Sequence, residues 1–328
     1  MAQTLKTVFS GIQPTGNVHL GNYLGSIRNW IDLQDSYNCL FGIMNLHAIT
    51  TPQNPDELKK NVYDIAAIYI GCGLDPDKSI IFVQSDVSYH LELTWILSCI
   101  TPLGWLNRMT QFKEKSKENE NLGLYSYPVL MASDILLYHA DIVPVGHDQK
   151  QHIELARDIA NSFNRIYKNE FFKIPEPMIV NNVKRIMSLQ DGTKKMSKSD
   201  SSELSRINVL DSADEIVKKI KKSKTDSLIQ IDYVESRPEL YNLINIFSAM
   251  SKEDPKSIQE RYSVAGYSKF KNDLAEIIVE KLRPIQYNIN KLRNDQLFLS
   301  EVIKNGNIKA QEIAKKTKEE VYRIIGLH

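Results

Sequence analysis

Asp191-Gly192-Thr193-Lys194-Lys195-Met196-Ser197-Lys198-Ser199-Asp200 sets three lysines, a threonine and two serines between two aspartates. The run has no apolar period, which argues against a strand or a buried helix, and Asp-Gly marks a tight turn. It reads as a loop rich in ammonium and hydroxyl donors. Such a loop suits a polyanion whose charge grows as a bond breaks, such as the triphosphate of ATP. Nothing from Gly192 to Ser199 offers a core anchor, so mobility is expected until a ligand pairs with Lys195 and Lys198. Read alone, the same residues also fit a solvated basic loop.

Outward from this loop, the N-terminal part of the chain alternates strands and helices. Leu5 to Ser10 reads as a short buried strand, Gly11 to Asn17 as a Gly/Pro loop, and Leu20 to Leu33 as an amphipathic helix. A strand, a glycine-bearing loop and a helix N-terminus make a nucleotide site, because unpaired N–H groups point at the ligand. His19 at that helix start can donate to a phosphate oxygen, and Gly21 leaves space for an adenine ring. Further strands are expected over Cys39–Asn45, Ser79–Gln84 and Asp141–Val145. His47-Ala48-Ile49-Thr50 closes the second at the ligand edge of the sheet. Asn54-Pro55-Asp56-Glu57 starts a helix that stops at Gly71 and Gly73. The expected class is α/β, a Rossmann-type parallel sheet.

From Tyr89 to Ala140 the pattern turns helical. Leu91, Leu93, Trp95, Ile96, Leu97 and Ile100 form an apolar stripe that reads as plain core. Gln111 to Asn121 is charged and reads as an exposed loop. Asp134 stands inside the otherwise apolar run Tyr127–Tyr138, where an unpartnered carboxylate would cost on the order of 3–5 kcal/mol. Something must hydrogen-bond it, and a structural ion pair would serve as well as a ligand. Gly146-His147-Asp148-Gln149 ends the strand at 141–145, with Asp148 also able to cap the next helix.

After Asp200 the strands cease. Val217-Lys218-Lys219-Ile220-Lys221-Lys222-Ser223-Lys224 is a basic run with Ile216, Val217 and Ile220 inward. Arg283-Pro284 is expected to break one helix, and Gln296 to Ile325 reads as another. The net charge of +1 excludes a globally basic nucleic-acid binder but not a local basic face. No apolar run reaches membrane-spanning length, and the N-terminus lacks a signal peptide's apolar core. Cys39, Cys72 and Cys99 give neither a disulfide framework nor metal spacing, so a reducing cytoplasmic setting and no protein-held metal are expected.

These motifs carry a resemblance. Lys195-Met196-Ser197-Lys198-Ser199 matches the KMSKS signature of class I aminoacyl-tRNA synthetases. Pro14 to Asn22 resembles their HIGH motif, with Asn22 for the second histidine as in the tryptophanyl branch. Gly11-Ile12-Gln13-Pro14, the Asp134 helix and the GxDQ-like Gly146–Gln149 are similar to the same bacterial-type tryptophanyl-tRNA synthetases.

The resemblance implies the site residues. Catalysis would be orientation and charge stabilisation by His19, Lys113, Lys195 and Lys198. Gln13, Pro14, Thr15, His19, Gly21, Asn22, Gly146, His147, Asp148, Ile186, Lys195, Met196, Ser197, Lys198 and Ser199 would bind ATP. Of these, Gly146 and Asp148 would meet the ribose, and the Ile186 backbone the adenine. Phe9, Tyr127, Met131, Asp134 and Gln149 would bind tryptophan, with Asp134 accepting the indole N–H. Magnesium would ride on the ATP phosphates.

The implied partners are tRNA(Trp), L-tryptophan, ATP and a second copy of the chain, with no membrane. The implied division is a catalytic domain over 1–200 with a helical dimerisation insertion at 89–140. A helical anticodon-recognition domain over 201–295 and a helical segment over 296–328 would follow. A tyrosyl-tRNA synthetase has a related fold and the same loop motif. A silent paralogue that only binds tryptophan or RNA is the alternative from outside enzymology.

Overall fold

The computed structural model describes residues 5–109, 121–146, 150–179, 185–198, 200–228 and 230–327. Its strands are β1 (Thr7–Ile12), β2 (Asn38–Ile43), β3 (Ser79–Val83), β4 (Ile142–Val145) and β5 (Glu176–Ile179). They form one parallel sheet in the order β3-β2-β1-β4-β5, so the strand order reverses at β1, where such sheets bind ligands. The α/β expectation holds. β1 runs on through Gly11 and Ile12, which pair with Gly42 and Ile43 rather than starting a loop.

In chain order the helices are α1 (Leu20–Asn22), α2 (Arg28–Leu33), α3 (Asn45–Ala48), α4 (Pro55–Gly71), α5 (Tyr89–Ile100), α6 (Leu103–Leu106) and α7 (Leu122–Leu136). They continue with α8 (Lys150–Ile166), α9 (Ala213–Lys221), α10 (Pro238–Ser251), α11 (Pro255–Tyr262), α12 (Gly266–Arg293) and α13 (Gln296–Ile325). α4 starts as expected: the Asn54 side chain accepts from the Asp56 and Glu57 N–H groups, and Pro55 needs no N–H partner in the first turn.

Two helix expectations are corrected. The stretch from Leu20 to Leu33 is not one α-helix, because Tyr23–Ile27 between α1 and α2 is a π-helical turn. The Asn29 amide there donates to the Leu24 carbonyl at 3.3 Å, a side chain standing in for a ladder donor. Arg283-Pro284 does not end its helix either. α12 runs through Pro284, and buried Leu282 and Ile289 on either side hold it against its neighbours. A proline costs one ladder bond, which a well-buried helix face outweighs.

Contacts gather the chain into two compact units, Met1–Thr15 with Ile31–Ile179 and Leu292–His328, and Gly16–Trp30 with Val180–Lys291. The first unit holds the sheet, with Phe9, Leu40, Phe82, Leu97, Ile135 and Phe163 in its core. α13 belongs here and lies on β3. Leu299, Val302, Ile303, Gly306, Ala310, Ala314 and Val321 form its buried stripe, and a Cβ on Gly306 would sit 1.7 Å from the Ile81 carbonyl oxygen.

The second unit is helical around Ile216, Ile220, Ile244, Phe247, Tyr262 and Phe270, and the loop at 191–200 is part of it. No helix among the described residues is long and apolar enough to cross a membrane.

Candidate active site

In the sheet-bearing unit, polar side chains cluster at the C-terminal ends of the strands. Asp134 sits in α7 and is 1% exposed. His47, just past β2, approaches its Oδ2 with Nε2 at 2.6 Å. Gln84, just past β3, donates to Oδ1 at 2.7 Å, and His90 of α5 approaches Oδ1 with Nδ1 at 2.7 Å. Burial pushes this carboxyl up, but its contacts with His47 and His90 outweigh that and hold the pKa at about 2. Asp134 is therefore an anion in an apolar helix, partnered from three sides.

Around it, Phe9 on β1 stacks on Tyr138 with centroids 5.6 Å apart, and Phe82 stacks on His90 at 5.8 Å. Tyr127, two turns earlier on the same face of α7, meets the His47 ring edge-on at 6.1 Å. Its hydroxyl stands 2.8 Å from His152 Nε2 of α8, and burial pushes that phenol up, so it stays protonated. Met131 packs half-buried against the same core. A carboxylate set among apolar and aromatic side chains has the chemistry to meet a flat ring bearing a single N–H.

The second unit carries the groups suited to phosphate. His19 caps α1: its Nδ1 accepts from the Asn22 N–H at 3.3 Å, and Asn22 Oδ1 accepts from the His19 N–H at 3.2 Å. His19 is 3% exposed. Burial, with Lys198, Lys195 and Arg206 adding charge repulsion, pushes its pKa down to about 3. With Nδ1 accepting, the ring hydrogen is on Nε2, and the imidazole is an uncharged donor. Gly21 must be small: a Cβ there would lie 3.0 Å from His19 Nδ1 and 3.7 Å from the Ile186 Cβ. The two residues expected at adenine, Gly21 and Ile186, are thus brought side by side.

The 191–200 loop is better anchored than its composition suggests, and the expectation of a loop without a core anchor is wrong. Met196 is 1% exposed, and its N–H donates to the Ile186 carbonyl at 3.2 Å. Ser188 N–H donates to Lys194 O at 2.7 Å, and Met187 bridges Lys195 antiparallel. Asp191 accepts from Thr193 N–H and Oγ1, closing the turn, while a Cβ on Gly192 would meet the Pro238–Glu239 backbone at 2.4–2.6 Å. The loop is a small hairpin with one buried methionine. Lys195 stays exposed at its edge, and Lys198, half-buried, has its pKa lowered to about 8 by burial.

The turn at His19 is held from below by residues 207–211. Leu20 N–H donates to Ile207 O and Val209 N–H to Val18 O, both at 2.8 Å, and His19 bridges Asn208. Asp211 accepts from Asn208 N–H and Nδ2, and Lys219 of α9 reaches its Oδ2 at 2.5 Å. Lys219 is 6% exposed. It belongs to this buried pair and not to the basic face of α9.

The first unit thus holds Phe9, Gln13, Pro14, Thr15, Tyr127, Met131, Asp134 and Gly146, and the second holds His19, Gly21, Asn22, Ile186, Lys195, Met196, Ser197 and Lys198. Lys113, His147, Asp148, Gln149 and Ser199 lie outside the described residues. Gln84, His90, Tyr138, His152 and Asp211 are not marked by their sequence context, and Lys219 is marked there only as part of the basic run. Gln84 had a signal, a polar residue at the C-terminal end of a buried parallel strand. His90 and Tyr138 have none, because a histidine or tyrosine within an apolar run is ordinary core.

Residues 2–283 match the family described as tRNA synthetases class I (W and Y). The tryptophan–tRNA ligase of Rickettsia bellii is 53% identical over 325 residues, covering 98% of each chain. The crystal structure of tryptophanyl-tRNA synthetase from Mycoplasma pneumoniae superposes with a TM-score of 0.91 at 36% identity, over 99% of each chain. That of the Campylobacter jejuni synthetase complexed with ADP and tryptophan does so at 0.83 and 35%, over 98% of this chain and 99% of that one.

Proposed function

Because the chain belongs to the class I tRNA synthetases of the tryptophan and tyrosine branch, we propose that it joins L-tryptophan to tRNA(Trp) in two steps. Tryptophan's carboxylate attacks the α-phosphorus of MgATP, the α–β phosphoanhydride bond breaks, and pyrophosphate leaves. The 2′-hydroxyl of the tRNA's terminal adenosine then takes the acyl group, and AMP leaves. Neither step needs a nucleophile from the protein, so its contribution is orientation and charge stabilisation.

The observation that carries the tryptophan assignment is Asp134, an ionised carboxylate in an apolar helix. A carboxylate offers about four lone-pair sites, and three in-chain donors leave one for an indole N–H. Phe9 and Met131 wall the ring, Tyr127 takes the amino-acid end, and Gln149 the amino group. For ATP, His19 donates from Nε2 without adding charge, while Lys195 and Lys198 meet the phosphates, joined by Lys113. Gly21 and Ile186 take adenine, Gly146 and Asp148 the ribose, and His147 a backbone contact. Gln13, Pro14, Thr15, Asn22, Met196, Ser197 and Ser199 complete the nucleotide's surroundings.

The exposed Lys218 and Lys221 of α9 and Lys222 at its C-terminal end, in the proposed anticodon-recognition domain over 201–295, suit tRNA phosphates. A second copy of the chain covers Leu91, Trp95, Leu103 and Leu122, in keeping with dimerisation through 89–140. Three free cysteines agree with a cytoplasmic setting.

The test is ATP–pyrophosphate exchange across all twenty amino acids. Tryptophan alone should support it. Exchange with tyrosine would move the chain to the other branch, and exchange with none would make it a silent paralogue.

A further inference from the structure

Asp134 can hold an indole N–H only if its carboxylate stays turned toward the ring, and α7 does not itself fix that rotation. The side chains behind it do. Gln84 Nε2 donates to Oδ1 at 2.7 Å, while its own Oε1 accepts from the Leu46 N–H at 3.0 Å, so this amide cannot flip without losing both. His90 is fully buried, with Nδ1 2.7 Å from Asp134 Oδ1 and Nε2 2.8 Å from the Tyr138 hydroxyl. Ser133 Oγ donates to the His90 carbonyl at 2.7 Å, tying the backbone of α5 to α7 at this point. The Tyr138 ring is clamped between Phe9 at 5.6 Å and Phe82 at 5.5 Å.

Hydrogen-bond chemistry gives this chain a direction. Burial and the nearby Asp134 charge push the Tyr138 phenol well up, so it keeps its proton and can give it to Nε2. A ring nitrogen that accepts leaves the imidazole hydrogen on the other nitrogen, here Nδ1, where it points at Asp134. Had the hydrogen been on Nε2, Nδ1 and Oδ1 would set two acceptors face to face in a dry pocket.

We infer that Tyr138 and His90 are specificity-positioning residues. Tyr138 fixes the His90 tautomer, His90 and Gln84 fix the Asp134 carboxylate, and that fixed carboxylate is what separates an indole from a ring of the same shape without N–H. The inference rests on the proposed tryptophan reading. It adds two residues that touch no substrate and predicts a defect confined to ligands with the N–H.

The experiment compares tryptophan with β-(benzothiophen-3-yl)alanine, in which sulfur replaces the indole N–H, in ATP–pyrophosphate exchange by wild type, Asp134→Ala and Tyr138→Phe. Asp134→Ala sets the baseline by abolishing the preference for tryptophan. Tyr138→Phe keeps the ring between Phe9 and Phe82 and removes only the hydroxyl. It should lower kcat/KM for tryptophan roughly 10-fold, mainly through KM, and change that for the sulfur analogue less than about twofold. His90→Gln cuts the same chain by another route and should give the same selective loss, so the inference does not hang on the folding of one variant. Equal losses for both substrates, or none for tryptophan, would leave Tyr138 and His90 as mere core and overturn it. Should Asp134→Ala keep the wild-type preference, the indole pocket itself would be misplaced, and the inference would fall with it.

Discussion

Replacing Asp134 by Ala does two separable things. It removes the acceptor proposed for the indole N–H, and it strands His47, His90 and Gln84 as buried donors. The first should appear as a loss of about 2–4 kcal/mol in kcat/KM for tryptophan, the second as a lowered Tm. A lowered Tm with unchanged kcat/KM would reduce the aspartate to an ion-pair role. Lys198 offers a different signature. Burial lowers its pKa to about 8, and only the ammonium form can meet charge moving toward pyrophosphate. The ammonium persists below that pKa and is lost as pH rises through it. kcat/KM for ATP should therefore be level below pH 8 and fall roughly tenfold per unit above it, and Lys198→Arg should remove the shoulder. Lys198→Ala should lower kcat by about 10²-fold while KM for ATP moves much less. A raised KM with kcat untouched would make it a ground-state anchor. Asp134 was legible in the sequence because a carboxylate in an apolar helix is an anomaly that demands partners. His90 and Tyr138 become visible only when three helices and two strand ends are brought together.

Elements follow the same divide between local and long-range causes. Asn54-Pro55 announces α4, since capping is written in neighbouring residues, and α13 forms over Gln296–Ile325, where a helix is expected. The π turn, the passage of α12 through Pro284 and the anchoring of Met196 were not legible. Each depends on a partner far along the chain or on burial that offsets a local cost. The basic run in α9 shows what this does to a prediction. Lys218, Lys221 and Lys222 face solvent, but Lys219 is bound to Asp211 beneath the His19 turn. Neutralising the three exposed lysines together should weaken tRNA binding and flatten its salt dependence by up to ~3 in log–log slope, with adenylate formation unchanged. Lys219→Met should do the reverse, slowing exchange and lowering Tm while the salt slope holds, because it leaves Asp211 buried without its charge partner. If Lys219→Met changes the salt slope as much as the exposed lysines do, the assignment of Lys219 to the buried pair is wrong.

For the whole molecule, the helical stretch between β3 and β4 poses a problem that one chain does not solve. Leu91 and Trp95 are expected as core with the rest of their stripe, yet Trp95 is 73% exposed and Leu91 is also in solvent, as are Leu103 and Leu122, the last 78% exposed. Two of the helices that carry them, α5 and α6, both pack on α7, which carries Leu122 itself. Single exposed apolar residues are common, but a tryptophan and three leucines on packed helices are the mark of a surface meant to be covered. A second copy offers that cover by symmetry, since a two-fold interface uses the same patch twice. The expected result is a dimer in sedimentation equilibrium at micromolar concentration, with a Tm that rises with protein concentration. Trp95→Lys combined with Leu122→Lys places charges where two copies would meet, and should give a folded monomer whose Tm no longer depends on concentration. Because the residues proposed for the tryptophan pocket lie within one chain, the monomer should still bind tryptophan. A wild-type chain that sediments as a monomer up to 100 µM or so would return these residues to ordinary exposed surface.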